Sequence, residues 1–144
     1  MDPNIIRFIQ KQTCATVCCA DEKGNPYCFS CFYAFNSKEG LLYFKSSASS
    51  KHSELISKNP VIAGTILPDK LKVLQVKGIQ FEGIVLPKDH FLARQASQAF
   101  HKQHPIALVM PGEVWIIQIA AIKMTDTSMG FGKKVYWNRK ELIV

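Results

Sequence analysis

The sequence predicts a mainly β protein in which an antiparallel barrel carries added helices. Short stretches rich in Val, Ile, Phe, Tyr and Cys recur along the chain, and clusters of Gly, Pro, Asn and Asp separate them. Helical stretches interrupt these strands singly instead of alternating with them, which favours antiparallel pairing over a parallel α/β sheet. The 144 residues contain no internal repeat or linker, so we expect one domain, residues 1–144, with one core.

The N-terminal part of the chain predicts a helix followed by a three-stranded meander. "DPNIIRFIQKQ" begins with Asp2 as a helix cap and Pro3 at the first helical position, and Ile5, Ile6 and Ile9 share one face. "TCATVCCA" and "YCFSCFYAF" flank the turn sequence "DEKGNP", as in a β-hairpin. "GLLYFKS" follows a second turn, "NSKEG", and continues the meander as a third strand.

The middle of the chain predicts a second helix and three further strands. "SSKHSELISKN" is typical of a helix that Pro60 ends, with Leu55 and Ile56 directed inward. The stretches "VIAGTIL", "LKVLQV" and "GIQFEGIVL" predict strands. In the last of them the apolar Ile79 and Phe81 alternate with polar residues, so we expect one buried face and one exposed face.

The C-terminal part predicts an amphipathic helix and a long strand. "KDHFLARQASQAFHKQH" has Leu92, Ala96, Ala99 and Phe100 at helical spacing, so this helix is expected to lie on the sheet. "EVWIIQIAAIKMTD" predicts a long strand, and "KKVYWNR" predicts a short last strand after the turn "SMGFG".

The formal net charge of +7 favours an anionic partner. The chain contains no run of five basic residues, and its aromatic residues and cations do not interleave on one exposed element. We therefore expect no nucleic-acid partner. The chain offers neither ~18 consecutive apolar residues nor a signal-peptide pattern, so we expect an unprocessed, cytoplasmic protein without a membrane partner.

All the cysteines, at positions 14, 18, 19, 28 and 31, lie near the N-terminus, and their odd number does not fit a secreted disulfide framework. Residues three apart on an extended strand face opposite sides, which argues against a zinc site that uses both Cys28 and Cys31. We expect no metal site and mainly reduced, buried thiols, with a redox pair as the alternative.

The four histidines, at positions 52, 90, 101 and 104, lie on or beside predicted helices, and we expect them to face solvent. The spacing of His101 and His104 allows both to share one helix face, but two ligands do not make a metal site. The chain also lacks the nucleophile elbow, the Walker loop and the dinucleotide-binding signature. No catalytic residue is therefore assigned.

The strongest chemical signal is the stretch "LYFKSSASSKHSELISKNP", where a strand meets a helix. One of Ser49 and Ser50 suffices to cap the helix, and the helix dipole opposes the positive charge of Lys51 in the first turn. An anion shared by Lys51 and the exposed N–H groups resolves this conflict, which favours a phosphate site. Aromatic side chains that can pack on a ring attached to this phosphate are plentiful, including Phe29, Phe32, Tyr33, Phe44 and Trp137.

Several stretches together resemble a known family. "ATVCCADEKGNPYCFSCFYAF", then "GLLYFKSSASSKHSELISKNP", then "VKGIQFEG" resemble, in kind and order, the FMN-binding split barrel of the pyridoxamine-5′-phosphate-oxidase-like superfamily. "VIAGTI", "KGIQFEG", "LARQASQAFHKQHPIA" and "VWIIQIAAIKMTDTSMGFGKKVYWNR" are similar to its YhbP-like branch. The resemblance covers nearly the whole chain, and "GFGKKVYW" is its most specific block.

This resemblance implies a homodimer of antiparallel six-stranded split barrels that holds FMN in a groove between the subunits. By position, Lys51 and Ser50 would hold the phosphate, with Lys45 and Ser46 beside it. The resemblance thus implies the same phosphate corner that the residues themselves predict.

The resemblance also implies residues around the flavin ring. Ser30 and Cys31 on the second strand would offer backbone groups to the polar edge of the isoalloxazine. Trp137 and Arg139 would come from the tail of the partner subunit. Gln80 is the nearest substitute for a glutamine that the family has near the ring, because that position is Gly78 here.

The chain departs from the oxidases of this superfamily in three ways. Ser50 and Phe29 stand where the oxidases have arginines, which predicts weaker phosphate binding. The terminal Arg-x-His segment that grips pyridoxal phosphate is not found after "YWNR". We therefore expect an FMN-dependent reductase acting on an unidentified small substrate rather than pyridoxamine phosphate oxidation, with a non-catalytic flavin- or haem-binding module as the alternative.

Overall fold

The computed structural model describes residues 1–130 and 132–141. These residues contain three α-helices and seven strands, in chain order α1 (Pro3–Lys11), β1 (Cys14–Ala20), β2 (Pro26–Asn36), β3 (Leu41–Ser46), α2 (Lys51–Lys58), β4 (Val61–Ile66), β5 (Lys77–Val85), α3 (Ala93–Gln103), β6 (Glu113–Asp126) and β7 (Lys134–Asn138). The predicted cap of α1 is confirmed, because Asp2 Oδ1 accepts a hydrogen bond of 2.7 Å from the backbone N–H of Asn4.

Six strands close into an antiparallel barrel. The hydrogen-bonded order is β3-β2-β1-β4-β5-β6, and a further pairing between β3 and β6 closes the ring. The predicted fold class, mainly β with a six-stranded antiparallel split barrel, is therefore confirmed. The seventh strand, β7, lies outside the ring and pairs with the second half of β6.

The length of β6 makes this closure possible. Its first half, Glu113–Gln118, pairs with β3, and Ala121–Thr125 pairs with β7. On its other edge β6 pairs with β5 through a bulge between Glu82 and Gly83. A Cβ atom at Gly83 would lie 2.4 Å from the carbonyl oxygen of Gln118, so the two strands approach this closely only because residue 83 has no side chain.

The core has two parts on opposite faces of the sheet. Inside the barrel, side chains such as Val17, Phe44, Phe81 and Ile117 are buried together with the apolar face of α1. Outside it, Tyr43 and neighbouring side chains pack beneath α3. The predicted alternation along β5 is confirmed, because Ile79 and Phe81 are buried whereas Gln80 and Glu82 are exposed.

The prediction of a strand at "LKVLQV" is wrong. These residues belong to the loop 67–76 between β4 and β5. The pairing of β5 begins at Lys77, opposite Asp126 of β6, and at Ile79, opposite Ile66 of β4. Neither neighbouring strand therefore extends beside residues 71–76. The alternating apolar pattern therefore has no partner strands, and the side chains of Leu71, Val73 and Leu74 are exposed.

The helix predicted over residues 88–104 is shorter than expected. It begins at Ala93, and no side chain caps its N-terminus. A short 3₁₀ helix, Pro105–Val109, follows it and connects it to β6. In the predicted turn "SMGFG", Phe131 lies outside the described residues, as do residues 142–144.

The expectation of reduced, buried thiols is wrong for Cys18 and Cys28, which are oxidised, and for Cys14, which is exposed. Cys18 of β1 and Cys28 of β2 form a disulfide. The two residues are directly opposite in the hairpin register. Their proximity could not be predicted without that register. Cys14, Cys19 and Cys31 are free thiols.

Over the described residues, no helix combines the length and apolar character that crossing a membrane requires. Within the same residues, no three His, Cys, Asp or Glu side chains group closely enough to hold a metal ion.

Candidate functional site

The serine corner is formed by Ser46 at the end of β3, the turn 47–50 and the first turn of α2. Ser50 is the N-cap of α2, and its Oγ accepts a hydrogen bond of 3.3 Å from the backbone N–H of Ser53. The sequence prediction of a serine cap is confirmed at Ser50. This cap satisfies one of the N–H groups that a helix leaves unpaired at its start.

The hydroxyl groups of the serine corner bond to one another. Ser50 Oγ lies 3.2 Å from Ser46 Oγ and 2.7 Å from Ser53 Oγ. Ser53 is buried, and its hydroxyl donates to the carbonyl oxygen of Ser47 over 2.8 Å. A hydroxyl can donate in one direction and accept from another, so the cluster can reorient its protons towards an incoming anion.

His52 belongs to the same cluster. Its Nε2 atom lies 2.5 Å from Ser46 Oγ and 3.1 Å from Ser50 Oγ. Burial lowers the pKa of this imidazole below its ordinary value. The expectation that the four histidines face solvent is wrong, since all four are partly buried.

Lys51 supplies the positive charge of the corner. Its side chain is exposed, and its Nζ atom lies 4.6 Å from the centroid of the Tyr27 ring on β2. Glu54 of the same helix instead pairs with Lys58, over 3.3 Å. Among the described residues no carboxylate is paired with Lys51, so its charge is available for a ligand.

The loop before β6 packs against the serine corner. Gly112 has a φ of +127°, and a Cβ atom there would lie 2.9 Å from the carbonyl group of Ser46. The indole Nε1 of Trp115 donates to the Ser46 carbonyl oxygen over 3.4 Å. Because these contacts hold the loop and β6 against the end of β3, the aromatic ring of Trp115 lies beside the serine corner.

Lys45 points away from this corner. Successive residues of a strand face opposite sides, and Lys45 lies on the side of β3 that faces α3. Its Nζ atom donates to the carbonyl oxygen of Ala107 over 2.6 Å and lies 3.1 Å from His101 Nε2. Ser46, Ser50 and Lys51 therefore come together, whereas Lys45 joins β3 to α3 and the 3₁₀ helix.

The remaining predicted residues on the strands lie elsewhere on the barrel. Ser30 is exposed on the outer face of β2, and Cys31, half-buried, points inward, where burial raises the pKa of its thiol to about 12. Gln80 lies on the outer face of β5 in a shallow groove of about 500 Å³ that Cys18 and Tyr136 also line.

Trp137 and Arg139 contact their own chain. Arg139 Nη2 donates to the carbonyl oxygens of Glu39 and Gly40 over 2.6 and 2.9 Å. Trp137 packs against the barrel core. Within one chain, these two residues hold the end of β7 against the turn between β2 and β3.

The donor set of the serine corner suits a phosphate group. It combines the hydroxyls of Ser46 and Ser50, an imidazole, an ammonium group that has no carboxylate partner among the described residues, and the start of a helix. Groups of these kinds form charge-assisted hydrogen bonds to phosphate oxygens. Sequence reasoning missed His52, Ser53 and Tyr27; the adjacency of His52 to Lys51 was the one available signal.

The barrel matches solved structures of low sequence identity. A heme binding protein from Mycobacterium smegmatis superposes with a TM-score of 0.75 at 12% identity, over 91% of this chain and 55% of that one. An FAD-binding protein from Mesorhizobium loti gives 0.69 at 17% identity, over 88% and 95% of the two chains. A NimC/NimA family protein from Clostridium acetobutylicum gives 0.68 at 16% identity, over 94% and 90%. The fold thus defines the class, a split-barrel protein.

Curated relatives identify the family within that class. The chain is 33% identical to a UPF0306 protein of Photorhabdus laumondii over 135 residues, which is 94% of both chains. It is also 33% identical to a UPF0306 protein of Yersinia pseudotuberculosis over 137 residues, 95% of this chain and 92% of the relative. The chain belongs to the UPF0306 family. No protein-family model matches it.

Proposed function

We propose that this protein binds FMN, with the flavin phosphate at the serine corner, and that it belongs to the YhbP-like branch of the pyridoxamine-5′-phosphate-oxidase-like superfamily. The observation that carries the proposal is the joint placement of Lys51, Ser46 and Ser50 around the start of α2. The Mesorhizobium loti neighbour is an FAD-binding protein, which supports a flavin.

One aromatic side chain beside the corner is open to the planar part of a flavin. Tyr27 is half-buried and lies under Lys51, whereas Phe44 and Trp115 are buried in the barrel core and Phe29 is stacked on His52. Flat aromatic surfaces bind planar rings through stacking and the burial of apolar area. A phosphate contact alone would not distinguish FMN from inorganic phosphate, so Tyr27 is the second element of the proposal.

A second copy of the chain completes the proposed site. The outer face of the barrel exposes Phe32 and Val61, each to 59% or more, and apolar sheet surface of this kind favours association. In the proposed homodimer, Ser30 and Gln80 on that face approach the flavin ring. Trp137 and Arg139 reach it from the partner's tail.

The proposed activity is that of a reductase. A bound flavin supplies hydride or single-electron transfer. The contribution of the protein is to fix the phosphate at the serine corner, to present backbone groups of Ser30 and Cys31 to the ring, and to exclude water by dimerisation.

A titration of the cofactor-free protein with FMN, followed by quenching of flavin fluorescence, tests the proposal. The proposal requires saturable uptake, with one flavin per chain, and a dimeric mass in sedimentation equilibrium. Flavin fluorescence that stays unquenched at protein concentrations well above micromolar would overturn it.

Haem is the second candidate ligand. The Mycobacterium smegmatis neighbour is described as a heme binding protein, and His52 in the serine corner offers an imidazole, which is a common axial ligand of haem iron. In this alternative the protein is a non-catalytic binding or sensing module. A haem titration with a Soret band that shifts in wild type and not in His52→Gln would favour it.

A further inference from the structure

A second concave surface lies between α1, the loop 67–76 and the adjoining ends of β5 and β6. Its volume is about 750 Å³. This surface lies near the start of β1, because Asp69 of the loop accepts a hydrogen bond from Thr13, which immediately precedes that strand. The serine corner lies near the other end of β1, because Lys51 lies over Tyr27, which pairs with Cys19. Since a strand rises ~3.3 Å per residue, the two surfaces lie roughly 20 Å apart along the barrel.

The second surface is strongly basic. Two carboxylates line it, and both are engaged: Asp126 pairs with Lys77 over 3.0 Å, and Asp69 accepts from the backbone N–H of Thr13 over 3.0 Å. None of its other cations has a carboxylate partner within residues 1–130 and 132–141. These cations are Arg7, Lys11, Lys70 and Lys72.

The loop beside this basic concavity exposes apolar side chains. Its lysines alternate with them along the sequence "KLKVLQVK", residues 70–77. The exposed fractions are 74% for Leu71, 101% for Val73, 98% for Leu74 and 64% for Val76. A contiguous set of large apolar side chains exposed to this degree marks an interaction surface.

We propose that the loop 67–76 and the basic concavity beside it dock on the surface of an anionic lipid bilayer. Val73 and Leu74 enter the boundary between headgroups and acyl chains. Lys70 and Lys72, together with Arg7 and Lys11, contact the lipid phosphates. Docking of this kind needs no membrane-spanning segment, so the absence of a long apolar run does not bear on it.

An anionic bilayer can bind both the cations and the exposed apolar side chains of this surface. A soluble polyanion or a second copy of the chain suits only one of these two features. A soluble polyanion, such as a nucleic acid, pairs with the cations but leaves Val73 and Leu74 in water. A second copy of this chain can cover the apolar loop but brings a second cluster of unpaired cations towards the first. Only an amphiphilic anionic surface offers apolar depth directly beneath negative charge.

The test is flotation of the full chain with vesicles. Phosphatidylcholine vesicles with about 30% phosphatidylglycerol are compared with pure phosphatidylcholine vesicles at about 0.1 M salt. The proposal predicts binding to the anionic vesicles, little binding to the neutral ones and weakening as salt is raised. Equal binding to both, or binding to neither, would overturn it.

Two pairs of variants identify the surface. Val73→Ser/Leu74→Ser is expected to weaken vesicle binding by about tenfold or more, because it removes the inserted apolar area. Lys70→Gln/Lys72→Gln is expected to weaken it by about tenfold or more and to reduce its salt dependence. The matched controls are Ile106→Ser/Val109→Ser and Lys23→Gln/Lys38→Gln, exposed residues elsewhere on the chain, which should leave binding unchanged.

Three results would contradict the proposal. The first is an equal loss in the control variants, which would place binding elsewhere. The second is tight binding of inositol hexakisphosphate that Lys70→Gln/Lys72→Gln abolishes, without any binding to anionic vesicles, which would indicate a soluble polyanion. The third is a shift from dimer to monomer in Val73→Ser/Leu74→Ser, again without vesicle binding, which would make the loop an interface between copies. FMN titration of the same variants reports separately on the serine corner.

Discussion

The imidazole of His52 stacks on the ring of Phe29, with ring centroids 3.8 Å apart and planes inclined by 10°. This contact joins α2 to β2, and the Nε2 atom of the same imidazole joins α2 to Ser46 at the end of β3. His52 thereby connects the aromatic part of the candidate site to its hydroxyl part.

The stacking of His52 predicts a pH dependence of stability. Burial lowers the pKa of His52 in the folded protein below its unfolded value, so the unfolded chain binds the extra proton first as the pH falls. The contribution of His52 to the free energy of unfolding is therefore fully present above the ordinary histidine pKa of ~6.5 and is lost as the pH falls below that value. Urea unfolding at pH 8 and pH 5.5 should show a larger loss in wild type than in His52→Gln; equal losses would remove His52 as the cause.

Lys51 is predicted to be the principal charge contact of the phosphate. Lys51→Ala should weaken FMN binding by about 1 to 3 kcal/mol through the loss of a charge-assisted contact, while the dimer persists. Lys58→Ala is the matched control, because Lys58 lies on the same helix and is also exposed but pairs with Glu54. Equal affinities of the two variants in flavin fluorescence titrations would remove Lys51 from the site.

Ser53 is predicted to hold the turn of the serine corner. Its buried hydroxyl donates to the carbonyl oxygen of Ser47, which also accepts from the backbone N–H and the hydroxyl of Ser50. Ser53→Ala therefore removes one of the hydrogen bonds that hold this turn, at a cost of about 1 kcal/mol in the free energy of unfolding. Ser57→Ala removes an exposed hydroxyl that bonds to its own helix at Ser53 and should cost less. Indistinguishable urea midpoints would show that the Ser53 bond is not stabilising.

Gly112 is predicted to be required for the close approach of its loop to the corner. Gly112 and Gly24 both have positive φ values, +127° and +83°, but only at Gly112 would a Cβ atom meet other atoms. Gly24→Ala should cost about 1 kcal/mol from backbone strain. Gly112→Ala should lower the free energy of unfolding by more than Gly24→Ala does. It should also weaken FMN binding, because the loop must move away from Ser46; unaltered FMN affinity would show that this loop does not shape the serine corner.

The cysteines are predicted to differ in their reactivity. Partial burial and the nearby Asp69 carboxylate raise the pKa of Cys14, but this thiol is exposed. Cys31 is less exposed, and burial raises its pKa to about 12, so it is expected to react more slowly because the thiolate is the nucleophile. Alkylation of the native, unreduced protein, mapped by mass spectrometry, should modify Cys14 first and should leave Cys18 and Cys28 unmodified. Early labelling of Cys28 without a reductant would contradict the disulfide.

Much of the fold could be predicted because its strands alternate and its turns are marked by glycine, proline and asparagine. The loop 67–76 was misread because "LKVLQV" has the alternation of a strand, and pattern alone does not reveal that β4 and β6 supply no partner there. The Cys18–Cys28 pair likewise depends on the hairpin register, which a one-residue shift would change.

The serine corner was predictable in part. The capping preference of serine and the unfavourable position of Lys51 could be read from residue types. The opposite orientations of Lys45 and Ser46 follow from strand alternation, although the resemblance implies that both lie beside the phosphate. The stacking of His52 on Phe29 could not be predicted, since it depends on how α2 packs over the barrel.

The most direct test of the central claim is an absorbance spectrum of the protein purified without added cofactor, followed by FMN titration of wild type, Lys51→Ala and Lys58→Ala. The account predicts flavin bands near ~370 and ~450 nm, or saturable FMN uptake by colourless protein, that weakens in Lys51→Ala alone. A colourless wild-type protein that does not bind FMN would contradict it and would leave the split barrel as a binding module for another ligand.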